Sequence, residues 1–399
     1  MSKIPYARQD INQSDIDAVI DVLHSEFLTQ GPVVHNFEVA ISNYCGAKHA
    51  IAVNSATSGL HIACLALEVG KGDCVWTSPI TFVASANCAL YCGATVDFVD
   101  IDPNTYNISI ECLEEKLVKA KKIGRLPKVV IPVHLAGQPC DMQEIYKLSQ
   151  QYGFKIIEDA SHAIGAKYKD EFVGNCHYSD ITIFSFHPVK IITTCEGGMA
   201  ITNDSKLAKK IRLLSSHGIS SKKDNAATTT FFHGDLANRP AQEIWNYQQI
   251  YLGFNYRLSD IHAAIGLSQL KRLNSFVSKR HYIAERYNNL LSSLPLLLPW
   301  QHKDSYSSYH LYIVRLKLNE INSTQPQIYN SLHSAGVLVN LHYIPVYRQP
   351  YYENMGFKKG YCPNAEKYYS EALSIPMYPA LEDFEQDKVM EIISDLLSK

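Results

Sequence analysis

Residues 185–198 read SFHPVKIITTCEGG and link DITIFSF (residues 180–186) to GGMAIT (residues 197–202). Both flanks have the composition and length of core strands, so Lys190 falls on the connection between them. A surface lysine keeps polar company. Lys190 instead lies among hydrophobic residues, with Ser-Phe-His-Pro before it and Glu-Gly-Gly after it. Strand-end connections are where an α/β protein places its working groups.

The same strand signal recurs outward from this segment, from residue 48 to about residue 202. HAIAV leads into NSAT and the helix-like SGLHIACLALEVG, and CVWTS leads into TFVASANCALYCG and TVDFVDID. KVVIPVHL is followed by MQEIYKLSQQYG and then FKIIEDA. Apolar runs of strand length alternating with helix-length segments predict a mostly parallel sheet covered by helices on both faces. Two amphipathic helices are expected before it, in SDIDAVIDVLHSEF and VVHNFEVAISNYCG. Beyond residue 257 the helix-former sequence RLSDIHAAIGLSQLKRLNSFVSKRHYIAERYNNLLSSL predicts one long connecting helix. YHLYIVRL and VLVNLHY then read as strands and DFEQDKVMEIISDLLSK as a closing helix. The expected organisation is a large domain over 1–256 and a smaller C-terminal α/β domain over 257–399. Residues 220–250 lack a clear period and read as a surface excursion.

Composition narrows the class. With 46% hydrophobic and 19% charged residues and a formal net charge of −2, the chain has no broad basic field for nucleic acid. No apolar run is long enough to span a bilayer, and MSKIPYARQDI holds no signal core, so no membrane partner and a cytoplasmic location are expected. The ten cysteines then read as reduced thiols. Cys88 and Cys92 form the closest pair, but no second Cys/His pair accompanies them, so they read as small buried hydrophobes and no metal is expected.

Neither a dinucleotide-binding Gly-x-Gly-x-x-Gly nor a Walker-type loop occurs. After HAIAV comes NSATSGLH, whose hydroxyls and helix N-terminus suit a phosphate, although taken alone Ser55 and Thr57 read first as caps of the helix. In IIEDASHAIGA (residues 156–166), Glu158 and Asp159 end a central strand, the edge at which open α/β sheets bind ligands. A buried carboxylate there needs a cationic partner, which a protonated heteroaromatic nitrogen would supply. The competing reading has Asp159 capping the next helix beside His162. Lys190 alone would read as a snorkelling lysine. In a desolvated pocket it becomes a nucleophile for a carbonyl. Together with Phe82, a flat apolar wall at another strand end, these groups match what pyridoxal phosphate requires: a phosphate cup, an anion for its ring nitrogen, a lysine for its aldehyde and a stacking surface.

NSATSGLH, TSPITFVASAN, EDASHAIGA and SFHPVKIITTCEGG resemble the motifs of the DegT/DnrJ/EryC1/StrS sugar aminotransferases, over essentially the whole chain. The resemblance implies the fold-type I pyridoxal-phosphate architecture, with Lys190 joined covalently to the cofactor and Asp159 paired with its ring nitrogen. It places His162 near the phenolic oxygen, Ala56, Thr57 and Ser185 at the phosphate, and Phe82 on the ring. Asn255, in LGFNYRLSD, would reach the cofactor and substrate site of the other subunit of a homodimer. Sugar-nucleotide contacts are implied at Tyr6, at Glu26, Phe27, Leu28 and Thr29, at Ala56 and Ser185, and at Asn340, Leu341, His342 and Tyr343. The implied reaction moves an amino group from L-glutamate, through pyridoxamine phosphate, to the 4-keto group of a UDP-linked 6-deoxy sugar. Alternatives are another 4-keto nucleotide sugar of the perosamine, bacillosamine or aminoarabinose type, a sugar dehydratase of the same fold, and a non-catalytic regulatory protein. The dehydratases carry His at the position of Lys190. Two departures from the family pattern are Cys195, where Gly or Ala is usual, and the length of the 220–250 segment.

Overall fold

The computed structural model describes residues 3–221 and 247–397. Helix α1 (Gln13–Leu23) starts at Asn12, whose side chain and that of Asp15 form a reciprocal capping box. Helix α2 (Pro32–Cys45) starts on a proline and ends at Gly46 in the left-handed conformation. The chain then enters β1 (His49–Val53), α3 (Ala56–Ala66), β2 (Cys74–Thr77), α4 (Ala84–Tyr91) and β3 (Thr95–Phe98). It continues through α5 (Ile110–Lys122), β4 (Val129–Ile131), α6 (Met142–Tyr152), β5 (Lys155–Asp159), β6 (Ile181–Ser185), β7 (Gly198–Thr202) and α7 (Ser205–Ser215).

The seven strands form one sheet in the order β1-β7-β6-β5-β4-β2-β3. Every neighbouring pair is parallel except those made by β7, which runs antiparallel to both β1 and β6. This is the expected mostly parallel sheet with helices on both faces. Alternation along each strand divides the core. Ile51, Val75, Ile131, Ile157 and Ile183 pack in one cluster with α3 and α4, whereas Trp76, Val130 and Ile156 pack on the opposite face with α5 and α6.

The long connecting helix is in fact two, α8 (Asp260–Leu270) and α9 (Leu273–Leu291). Neither Gly nor Pro marks the break. Arg272, at the junction, is held by Asp10 at 2.5 Å and Asp15 at 2.6 Å, so α8 stays against α1 while α9 runs on to a second core. That core is built on the strands Leu296–Leu297, Tyr312–Leu316 and Ala372–Ile375 and the helices Gln325–Ser334 and Asp383–Leu397. Ile4 also packs there, because Ile4–Pro5 pairs in parallel with Val337–Leu338. The strand expected over VLVNLHY is confined to Val337–Leu338. Of the 220–250 excursion, residues 222–246 lie outside the described residues. Its ends are regular, since Ile219–Ser221 and Tyr247–Gln249 pair antiparallel. Among the described residues no helix is long and apolar enough to cross a membrane.

Candidate active site

The carboxyl ends of β1, β5 and β6 open on a cavity of about 530 Å³, well within the range for a small-molecule site. β7 brings the ends of β1 and β6 together, since Gly198 pairs with Val53 on one side and with Ser185 on the other, and β6 pairs in turn with β5. The turn after β1 then passes so close that a Cβ on Gly198 would lie 2.6 Å from the Ala56 nitrogen and 2.7 Å from the Ser55 carbonyl carbon. This explains the second glycine of Glu-Gly-Gly. Cys195, where the family has Gly or Ala, takes φ +67°, the left-handed region that favours glycine.

Ser55 is the N-cap of α3, its hydroxyl accepting from the Ser58 amide at 3.1 Å. Capping by Ser55 therefore leaves the turn's first amides free of it. The amides of Ala56 and Thr57, at the first two positions of α3, have no preceding helical carbonyl and sit at the positive end of the helix dipole. Both residues line the cavity, as does Ser185, whose hydroxyl accepts from the His187 amide at 3.4 Å.

Glu158 and Asp159 point to opposite sides of the sheet. Asp159 enters the cavity and does not cap a helix: Oδ1 accepts from the Ser161 amide at 3.1 Å and Oδ2 from the Ser85 hydroxyl at 2.5 Å. Ser85 in turn is 2.7 Å from the Thr81 hydroxyl. Among the described residues, Asp159 has no Lys, Arg or His in ion-pair range. Its carboxylate is thus solvated by neutral donors and faces the cavity without a counter-cation.

Lys190 lines the same cavity. Burial pulls its ammonium down to about 8, against the opposing pull of the Asp159 charge, so about one amine in ten is neutral at pH 7. His162 is buried, and its Nδ1 accepts the Ala136 amide at 3.3 Å, which leaves the proton on Nε2. Nε2 lies 3.2 Å from the Tyr343 hydroxyl. Burial, with the Lys190 and His342 charges, holds this imidazole well below the usual histidine range and therefore neutral. His310 packs against it with ring centroids 4.4 Å apart and the rings tilted by 47°, and its buried Nδ1 has no hydrogen-bond partner among the described residues. Phe82 is 57% exposed and forms an apolar wall of the cavity.

Tyr6, Asn340, Leu341, His342 and Tyr343 also line the cavity. The last four leave their short strand and turn inward, with Asn340 bridged to Ser374 and the His342 carbonyl accepting from Tyr368 at 2.5 Å. Asn255 and Glu26 to Thr29 are not part of this wall: all five residues are exposed. Nor does Asn255 cap α8, a task that Ser259 performs. The two segments are neighbours, since Thr29 bridges to Ser259 and the Leu28 carbonyl accepts from the Asp260 amide at 3.0 Å. Sequence reasoning missed Thr81, Ser85 and His310. A Thr–Ser pair four residues apart in TFVAS was the one available signal for the first two, and nothing local distinguished His310 from a core histidine.

These groups fit pyridoxal phosphate. A carboxylate lacking a cation, a lysine with a lowered pKa, a neutral imidazole donor and a helix N-terminus closed down by Gly198 each answer one part of that molecule.

A sequence model of the DegT/DnrJ/EryC1/StrS aminotransferase family matches residues 9–394. The chain is 39% identical over 399 residues to the UDP-4-amino-4,6-dideoxy-N-acetyl-β-L-altrosamine transaminase of Campylobacter jejuni, covering 99% of this chain and 98% of that protein. It is 37% identical over 397 residues to the spore coat polysaccharide biosynthesis protein SpsC of Bacillus subtilis, covering 99% and 97%. Among solved structures it superposes on Helicobacter pylori PseC, an aminotransferase of pseudaminic acid biosynthesis, with a TM-score of 0.87, 30% identity and full coverage of both chains. Other matching structures are of a sugar aminotransferase in its PLP and PMP forms.

Proposed function

This chain belongs to the DegT/DnrJ/EryC1/StrS aminotransferase family, and from that premise we propose that it transfers the amino group of L-glutamate to the C4 keto carbon of UDP-2-acetamido-2,6-dideoxy-β-L-arabino-hex-4-ulose. The product would be UDP-4-amino-4,6-dideoxy-N-acetyl-β-L-altrosamine, for pseudaminic acid biosynthesis. The protein is a pyridoxal-phosphate-dependent sugar aminotransferase. The observation that carries the catalytic reading is Lys190 and a cation-free Asp159 in one cavity.

When bound, pyridoxal phosphate supplies an electron sink for the pair left behind by a departing α-proton. Lys190 Nζ, neutral in a useful fraction, would hold the aldehyde of the bound cofactor, and when free it would carry a proton as base and then acid. Asp159, held in place by Ser85 and Ser161, keeps a negative charge facing the ring nitrogen so that this nitrogen retains its proton. His162, neutral and with its proton on Nε2, donates towards the phenolic oxygen without adding charge. Ala56, Thr57 and Ser185 would hold the phosphate, and Phe82 would offer its face to the ring.

Tyr6 and Asn340 to Tyr343 form the wall of the sugar-nucleotide subsite. Asn255 and Glu26 to Thr29 are exposed and lie outside the chain's own cavity, with Leu28 and Thr29 against Ser259 and Asp260 just beyond Asn255 in sequence. In a homodimer these residues would complete the site of the other subunit. A neutral amide suits the task, because it donates to phosphate without needing a buried counter-charge.

The likeness to the Campylobacter jejuni transaminase supports the acceptor. The nearly equal likeness to SpsC supports a second reading, in which the acceptor is another 4-keto nucleotide sugar. One experiment separates the two: incubate the holoenzyme with glutamate and a panel of UDP-, GDP- and dTDP-linked 4-keto sugars, and identify the products by mass and NMR. Turnover only with the UDP-linked L-arabino sugar upholds the first reading. Preference for any other member of the panel overturns it.

A further inference from the structure

Glu158 and His134 lie on the face of the sheet away from the cavity and are 5% and 0% exposed. Adjacent residues of a strand point to opposite faces, so Glu158 projects beside Met142, Tyr168 and Val173 as Asp159 projects into the site. Buried there, its carboxylate accepts from the Thr182 hydroxyl at 2.9 Å, from Ser179, and from His134 Nε2 at 2.8 Å. Burial alone would raise its pKa, but the bonds from His134, Ser179 and Thr182 outweigh that and hold it below the usual carboxylate range. Nδ1 of His134 accepts the Cys140 amide at 3.1 Å, so Nε2 carries the proton donated to Glu158.

His134 also touches the active site through its backbone. Its amide donates to the Asp159 carbonyl at 3.1 Å, the Asp159 amide donates to Pro132 at 2.9 Å, and Val133 bridges to Asp159. Two residues on, the Ala136 amide fixes Nδ1 of His162. The segment 132–136 therefore links the backbone of Asp159 to the ring of His162, and the His134 imidazole ties it to the buried Glu158 carboxylate.

We infer that His134 and Glu158 are a pair of positioning residues, a latch on the far face of the sheet that sets the placement of Asp159 and the tautomer of His162. The inference rests on the cofactor reading of Asp159 and His162 given above. Without the latch the 132–136 segment gains freedom. Asp159 then loses its fixed place at the strand end, and His162 its reason to keep the proton on Nε2. A hydrogen bond to a buried charge is worth about 1.5–3 kcal/mol, so its loss predicts about a tenfold or greater fall in the rate of the glutamate half-reaction.

The test compares wild type, Glu158→Gln, His134→Gln and His134→Phe as holoenzymes. Glu158→Gln keeps volume and hydrogen-bonding atoms but not charge, and His134→Gln keeps a donor within reach of Glu158, so both are designed to fold if His134→Phe does not. Three quantities are read: the pH titration of the bound cofactor's absorbance, the Kd for pyridoxamine phosphate, and kcat against KM for glutamate. Glu158→Gln is expected to shift the absorbance titration by about half a unit or more and to lower kcat about tenfold with KM within about twofold. His134→Gln is expected to recover most of the wild-type values. If folded Glu158→Gln titrates like wild type with unchanged kcat, the latch is structural only and the inference falls. If wild type itself fails to bind pyridoxal phosphate, it is the cofactor reading that fails, an outcome visible before any variant is compared.

Discussion

Replacing Ser85 with Ala removes the hydroxyl that donates to Asp159 Oδ2 at 2.5 Å and leaves the Ser161 amide on Oδ1 as its remaining described donor. Ser85 is fully buried and Asp159 nearly so, so the bond is little screened. A hydrogen bond to a charged group contributes about 1.5–3 kcal/mol, which converts to about tenfold to a hundredfold in a rate or binding constant. The retained Ser161 bond places the expected loss near the lower figure. Folding should not suffer: Ser85 is the second residue of α4, where alanine gains about half a kcal/mol of helix propensity. The assay is the calorimetric Kd for pyridoxamine phosphate together with the stopped-flow rate of the glutamate half-reaction. Thr81→Val removes the donor to Ser85, one bond further out, and is expected to cost less than Ser85→Ala. A Ser85→Ala enzyme within twofold of wild type in both measurements would refute the claim that this hydroxyl holds the carboxylate for the ring nitrogen.

Since burial brings Lys190 down to about 8, its nucleophilic form is gained as pH rises through that value. Capture of pyridoxal phosphate by the apoprotein, followed by absorbance, should quicken about tenfold per unit below pH 8 and level off above it, and borohydride should fix the label on Lys190. A midpoint near 10 would contradict the buried site. Gly198→Ala drives a methyl into the Ser55–Ala56 backbone and should weaken cofactor binding about tenfold or more, whereas Gly70→Ala, with open space around it, should leave binding unchanged. For the shared site, a tagged heterodimer of Lys190→Ala with Asn255→Trp should regain about half the native turnover at most, from its one complete site. No recovery would mean that each chain builds its own site.

Much of this site was legible because its parts are local signals at strand ends. HAIAV-NSAT, KIIED and ITIFS each announce a strand and then a polar residue, and the sheet brings those polar residues to one edge. What the sequence concealed is relational. Nothing in GGMAIT says that β7 runs antiparallel, since a buried strand is apolar in either direction. The break at Lys271–Arg272 carries no helix-breaking residue, and its anchors, Asp10 and Asp15, lie at the other end of the chain. In IIEDASH the two acids look equivalent, and only the pleat sends Glu158 to His134 and Asp159 to the cavity. The inward turn of Asn340 to Tyr343 depends likewise on Ser374 and Tyr368, which no local pattern reveals.

The position of β7 also orders events during synthesis. β1, which ends in the turn proposed to hold the phosphate, is an edge strand, and its one neighbour in the sheet is β7, residues 198–202. The two further bridges at its end, to Tyr256 and Arg257, come later still. A chain emerging from the ribosome can pair β2 with β3 almost at once, but it must carry β1 unpaired until β7 has left the tunnel. Through that interval HAIAV is an exposed apolar strand with both edges free, the segment most open to a chaperone or to pairing with another nascent chain. The pairing that ends this exposure is the same one that brings Gly198 against the Ser55–Ala56 turn. The chain therefore becomes able to hold its cofactor at the moment its most aggregation-prone edge is covered.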